Sequence, residues 1–388
     1  MTRRRLGLST RAIHGVPGPS HARSPVSSPI VQSSTFINPV GSDEEVLYTR
    51  YGNNPNQVSL ATRLAALEGG EAAIAVGSGM GATALALLSV LTPGDHFVSC
   101  DWIYGGTRRL FDGEFAKHGI DVTYVDPSNP RAWKARLRGT TRAIFVEAVT
   151  NPLMRVIDIE PLASLCHTEG IALIVDSTFA SPVNFRPLEH GADVVIHSAT
   201  KYLNGHSDVI AGAVIGTEEM IEEVRNLMQV WGQALDPHAA WLVERGLKTL
   251  EVRMARHNAN GLAFAEWASD FAGFAQVHYP GLPTHPDHAV ATRMLDGFGG
   301  MVGIEVQGGR AAAERMLRRL RVARHAPSLG GVETLVSEPR LTSHAALTPA
   351  QRAAQGIPDG FVRVSVGIED VGDLIADFTR ALRRPRRG

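Results

Sequence analysis

The chain is short of cysteine, of net charge and of long apolar runs. Its 388 residues include two cysteines, Cys100 and Cys166, and neither belongs to a Cys-x-x-Cys pair. That excludes a disulfide scaffold and argues against a structural zinc site. Both cysteines sit in apolar patterns and read as buried thiols, which fits a reducing, cytoplasmic compartment. Lys and Arg number 38 and Asp and Glu 39, for a formal net charge of -1, so the chain as a whole lacks the basic footprint of a nucleic-acid binder. The runs Arg3-Arg4-Arg5 and Arg383-Arg384-Pro385-Arg386-Arg387 are terminal and read as solvated tails. No apolar run reaches the length of a membrane span, and no secretion-type apolar stretch occurs near the start. His285 and His288 flank Pro286 and Asp287, but no further ligand spacing supports them, so no metal is expected.

What is present suits a large buried core. Apolar residues make up 44% of the chain and charged residues 20%, ordinary values for a globular protein. Residues 1–55 are rich in Pro, Ser, Gly and Asn and read as an extended arm. From Gln57 the pattern becomes regular. Short apolar runs at Ala72–Val76, His96–Cys100, Val122–Val125, Ala143–Glu147, Ile171–Asp176 and Val194–His197 alternate with helical spacing. This alternation predicts an α/β fold with a mainly parallel sheet covered on both faces, over residues 56–245. A smaller α+β unit is expected over 246–388. It would hold one long helical pattern from Trp241 to Trp267, strands at Met301–Val306 and Phe361–Val366, and a last helix at Val371–Leu382.

The most telling segment is Asp193-Val-Val-Ile-His-Ser198-Ala-Thr200-Lys201, followed by a turn at Gly205. A buried strand ends in two hydroxyls and a lone lysine. Such a lysine either snorkels to the surface or is a reactive amine. The hydroxyls suit a phosphate, and an amine beside a phosphate site suggests a Schiff base to pyridoxal phosphate. Asp176 ends the preceding strand, so both groups face the crevice at the carboxyl ends of a parallel sheet. There it could pair with a pyridine nitrogen, although a turn aspartate is the simpler local reading. Tyr104, before Gly105 and Gly106, could stack on a planar ring or merely fill a core. Tyr48 and Arg50 in the arm offer phosphate donors, against the plainer reading of a surface ion pair. Arg363 lies inside an apolar β pattern; facing inward it would need an anion such as a substrate carboxylate. A competing motif is Gly77-Ser-Gly79-Met80-Gly-Ala82 with Asp101, which fits a dinucleotide fingerprint and an NAD-dependent oxidoreductase. The same turn binds any phosphate at a helix N-terminus.

Taken together, these residues resemble the PLP-dependent enzymes of cysteine and methionine metabolism. The resemblance covers nearly the whole chain. It rests on Tyr48-x-Arg50, Ser78-Gly-Met80, Tyr104-Gly-Gly, Asn151-Pro, Asp176-x-Thr-Phe-Ala, Ser198-x-Thr-Lys201-Tyr-Leu-Asn-Gly-His-Ser-Asp, Ser328-Leu-Gly-Gly and Arg363-x-Ser-Val-Gly. It implies an aspartate-aminotransferase-like fold (fold type I) in a homotetramer built from dimers. It also implies pyridoxal 5'-phosphate carried covalently on Lys201. Asp176 would hold the pyridine nitrogen, Tyr104 would stack on the ring and assist proton transfer, and Asn151 would approach the phenolic oxygen. Gly79, Met80, Ser198 and Thr200 would bind the phosphate, with Tyr48 and Arg50 arriving from a neighbouring subunit. Ser328 and Arg363 would bind the substrate carboxylate. The chemistry implied is γ-elimination or γ-replacement on sulfur amino acids or activated homoserine, most nearly that of cystathionine γ-lyase or γ-synthase. O-acyl-homoserine sulfhydrylase, methionine γ-lyase and cystathionine β-lyase are the neighbouring activities. Three positions depart from the common patterns: Ser177 for asparagine, Pro327 for the glutamate of many γ-synthases and γ-lyases, and Gly106 for the cysteine of methionine γ-lyases.

Overall fold

The structure is a computed structural model and describes residues 6–16, 24–343, 345 and 348–383. Of the two basic runs only Arg383 lies within the described residues. Seven strands form the larger sheet: β1 (Ala72–Val76), β2 (His96–Cys100), β3 (Asp121–Val125), β4 (Thr141–Glu147), β5 (Ala172–Asp176), β6 (Val194–His197) and β7 (Gly212–Gly216). Their order is β1-β7-β6-β5-β4-β2-β3. The neighbours from β6 to β3 pair in parallel, while β7 runs antiparallel to both β1 and β6. The expected mainly parallel sheet is present. Its inner strands are buried along most of their length, as a sheet covered on both faces requires.

β7 escapes the sequence reading because its two glycines look like turn residues. Gly212 is required by packing: a Cβ there would meet the Ser78 carbonyl carbon at 2.6 Å. The strand therefore lies directly against the turn that follows β1.

Five further strands, β8 (Phe274–His278), β9 (Met301–Val306), β10 (Arg324–His325), β11 (Leu335–Ser337) and β12 (Phe361–Ser365), form a second sheet in the order β10-β11-β12-β9-β8. Its own core includes Phe264, Val302, Ile304, Val362, Val364 and Phe378. The long helical pattern near Trp241 is two helices, Pro237–Leu247 and Leu250–Asp270. Buried Arg253 ties the break, donating to the Gly246 carbonyl at 2.9 Å and the Tyr202 carbonyl at 2.7 Å. The arm is not wholly irregular, because Leu8–His14 is helical. No helix among the described residues is long and apolar enough to cross a membrane.

Candidate active site

The carboxyl ends of β1, β2, β4, β5 and β6 open on one cavity of about 630 Å³, and Ser328 and Arg363 close it from the smaller sheet. Gly79, Met80, Tyr104, Asn151, Asp176, Ser198, Thr200 and Lys201 all line it. A parallel sheet collects its strand ends in this way, which is why residues so far apart in sequence meet.

Lys201 follows β6 and donates from Nζ to the Ser328 hydroxyl at 2.8 Å. Burial, and then the nearby Arg363 charge, lower its amine from the ordinary 10.5 to about 8. Ser328 is held at φ 87°, in the left-handed region that an L side chain rarely adopts. Its carbonyl accepts from Arg363 Nη2 at 3.0 Å, and Arg363 Nη1 donates to Asn151 Oδ1 at 3.0 Å. Arg363 is only 5% exposed. Its protein partners are neutral, and its Nε has no hydrogen-bond partner among the described residues. Burial lowers the guanidinium to about 10. A buried cation without a counter-charge is the feature expected of an anion site.

Asp176 Oδ1 accepts from the Thr178 N–H at 2.8 Å, which aims the carboxylate. Thr178 also receives the Ser198 N–H on its hydroxyl at 2.8 Å, so one threonine locks two strand ends. Burial raises the Asp176 carboxyl, and the Thr178 bonds oppose that shift. Tyr104 is 42% exposed at the cavity mouth.

The turn after β1 leads into the helix Gly79–Leu88, capped by the Ser78 hydroxyl, which accepts the Gly81 N–H at 3.0 Å. Free N–H groups and the helix dipole there suit a phosphate. A Cβ on Gly79 would lie 2.6 Å from Ser198 Cβ and 2.9 Å from its Cα. The Gly79→Ala variant is therefore expected to push Ser198 away and weaken binding of the phosphate-bearing cofactor by about tenfold or more. Fluorescence titration of the apoprotein measures this, and an unchanged affinity would remove Gly79 from the cradle. Thr200 is tied back to Ala211, its hydroxyl accepting that residue's N–H at 3.0 Å.

Tyr48 and Arg50 are not brought to this cavity. Arg50 donates to the Gln229 carbonyl at 2.6 Å and lies over the Tyr48 and Tyr51 rings. The dinucleotide reading loses its geometry. β1 is an edge strand paired antiparallel with β7, and Asp101 is engaged by Arg108 at 2.6 Å. Asp287 is bound by Arg155 Nε at 2.6 Å, and His288 lies against the Pro280 carbonyl. Among the described residues no group of three His, Cys, Asp or Glu side chains could hold a metal.

Among the cavity residues given no role from the sequence are Glu147 and Thr178. Glu147 ends an apolar strand as Asp176 does, and that shared pattern was the available signal.

The residues present fit pyridoxal phosphate: a part-buried amine of lowered pKa, a carboxylate in the wall, a helix-start cradle and a buried arginine. The model of the family described as "Cys/Met metabolism PLP-dependent enzyme" matches residues 9–383. A cystathionine gamma-synthase of Mycobacterium leprae is 44% identical, over 97% of each chain. An L-methionine gamma-lyase of Fusobacterium nucleatum subsp. polymorphum is 41% identical, over 99% of this chain and 100% of the relative. The crystal structure of cystathionine gamma synthase from Xanthomonas oryzae pv. oryzae, in complex with aminoacrylate and cysteine, superposes with a TM-score of 0.93. It is 39% identical and covers 97% of this chain and 98% of that one. The fold is therefore that of the fold type I PLP enzymes, the substrates are small-molecule amino acids, and the chain belongs to the Cys/Met metabolism PLP-dependent enzyme family.

Proposed function

We propose that the protein catalyses γ-replacement on an activated homoserine, joining it to a thiol as a cystathionine γ-synthase does, with γ-elimination when no thiol is supplied. The observation that carries the PLP-dependent amino-acid chemistry is the shared cavity of Lys201, Asp176 and Arg363, and reaction at Cγ is taken from the relatives. The choice of replacement draws on the cystathionine gamma-synthase relative at 44% identity.

Lys201 would hold the cofactor, Asp176 its ring nitrogen and Tyr104 its face, while Asn151 would meet its phenolic oxygen. Gly79, Met80, Ser198 and Thr200 would hold its phosphate. When bound, pyridoxal phosphate supplies an electron sink that acidifies the substrate Cα–H. Arg363 and Ser328 hold the α-carboxylate and so orient Cα and Cβ toward Lys201. The Lys201 amine, with a pKa of about 8, can take a proton from Cα and return one near neutral pH. Tyr104 assists that transfer at Cβ. The γ-substituent departs, and the thiol sulfur bonds to Cγ as its proton leaves.

Residues 56–245 would form the cofactor-binding unit and 246–388 the unit that brings the carboxylate-binding pair. The active form would be a homotetramer in the cytoplasm. Tyr48 and Arg50 would serve a neighbouring subunit's phosphate. In support, Val26, Ile37 and Val40 in the arm are fully exposed, as a docking arm requires.

Gly106 argues against methionine as the substrate. A Cβ there would lie 3.1 Å from Tyr104 Cδ1, so the ring occupies the space of the cysteine that methionine γ-lyases carry. Pro327 favours a second reading. It lines the cavity without the acid that would hold a distal ammonium, which suits a thiol as small as hydrosulfide. Product analysis separates these readings. O-succinylhomoserine is offered with cysteine or with hydrosulfide, and cystathionine and methionine are offered alone. Cystathionine formed from the first pair with the highest kcat/KM is expected. Faster turnover of hydrosulfide would favour the second reading, and preferred turnover of methionine would overturn both.

A further inference from the structure

Glu147 stands at the end of β4, is 5% exposed and lines the cavity, yet the chemistry above does not use it. Its Oε1 accepts the Tyr104 N–H at 2.6 Å, and its Oε2 accepts the Asn151 N–H at 3.2 Å. Tyr104 ends the loop after β2, just before the helix Gly105–Arg109, and Asn151 lies in the loop after β4. Asn151 in turn receives Arg363 on its side chain at 3.0 Å. One carboxyl group therefore connects the aromatic wall of the cavity to the arginine that closes it.

We propose that Glu147 is the positioning residue of this site, setting the Tyr104 wall and the Asn151–Arg363 wall together through its two backbone hydrogen bonds. It does so as a neutral carboxylic acid, while Asp176 carries the charge. This rests on the roles proposed above for Tyr104, Asn151 and Asp176.

The register of the sheet carries the second half. Glu147 pairs with Asp176 across β4 and β5, so the two carboxyl groups sit side by side. Neighbouring carboxyl groups in a dry wall resist double ionisation, and one keeps a proton. Cys100 ends β2 and brings no positive charge, and His197 on β6, whose charge favours ionisation of Asp176, is committed to Glu68 at 2.6 Å. The cavity's cations, Lys201 and Arg363, bond to Ser328 and to Asn151 and to neither carboxyl group. Burial, and then the Asp176 charge, push the Glu147 carboxyl well above its usual range. Asp176, proposed above to hold the ring nitrogen, is the member that would need the negative charge. A neutral carboxyl group still accepts N–H bonds.

Two substitutions grade the positioning. Glu147→Gln keeps the shape but one acceptor oxygen, because its amide nitrogen donates, whereas Glu147→Ala leaves both buried N–H groups without an acceptor. Each apoprotein is titrated with pyridoxal phosphate, reading the dissociation constant and the circular dichroism of the bound chromophore, which reports ring orientation. Gln, which keeps one of the two bonds, is expected to bind about threefold more weakly than wild type, and Ala about tenfold or more weakly with a diminished dichroic band. If Ala does not fold, Glu147→Asp, too short to reach both N–H groups, is expected to show the same loss. The neutral form is read by infrared spectroscopy. A protonated-carboxyl band present in wild type and lost in Glu147→Gln is expected, and its absence from wild type would overturn the neutral form. Wild-type behaviour of Ala (or of Asp in its place) would overturn positioning. Tyr104→Ala is the control. An unchanged dichroic band there would overturn the proposed Tyr104 role and this inference with it. A changed band beside an unchanged Glu147→Ala band would overturn this inference alone.

Discussion

Replacing Lys201 with alanine is expected to abolish covalent cofactor attachment and reduce turnover by about 10,000-fold, the upper range for a lost acid–base group. The cofactor should still bind, because Gly79, Ser198 and Asp176 lie outside the change. The variant then shows cofactor absorbance that dialysis removes, and a small primary amine added to the buffer restores part of the rate. The protonation of Lys201 gives a second reading of the same group. Burial and the Arg363 charge both disfavour the ammonium form, so the folded pKa falls from 10.5 to about 8. The neutral, nucleophilic fraction therefore grows as pH rises through about 8, and labelling of the apoprotein by an amine-directed reagent should follow that curve. Labelling that rises only near the pKa of a free lysine, or full turnover by Lys201→Ala, would remove Lys201 from the chemistry.

The lysine and the aspartate were legible in the sequence for one reason. Both end apolar runs in a β/α alternation, and a parallel sheet must bring such ends to the same side. Orientation in the smaller sheet was not legible. Val362, Arg363, Val364 and Ser365 alternate apolar and polar, which suits an outward-facing Arg363 equally well, yet all five residues of β12 are buried. Whether Arg363 points inward emerges only from its bonds to Asn151 and to the Ser328 carbonyl. β7 was hidden by Gly212, whose missing side chain admits the Ser78 turn and also weakens the strand signal. Arg50 shows a third kind of limit. Among the described residues its own chain offers the Gln229 carbonyl and two tyrosine rings, so the part in a phosphate site proposed for it would need a second copy.

The Arg363→Ala variant should lower kcat/KM for an α-amino acid substrate by about 100- to 1,000-fold, the scale for removing one partner of a buried charged pair. Arg363 is buried, bears a charge, and holds no acid among the described residues. Its two protein bonds use one nitrogen each, toward Asn151 and Ser328, so the guanidinium is oriented before any ligand arrives. A carboxylate entering there would meet a fixed fork, and little ordering would be lost on binding. Lysine at this position keeps the charge and loses the fork, so Arg363→Lys should recover only part of the loss. The decisive comparison uses a substrate analogue without the α-carboxylate. Wild type and Arg363→Ala should process it equally poorly, because the missing group is the one that Arg363 binds. If the variant instead loses as much on that analogue as on the full substrate, Arg363 acts by holding Asn151 and Ser328 in place and the carboxylate is bound elsewhere.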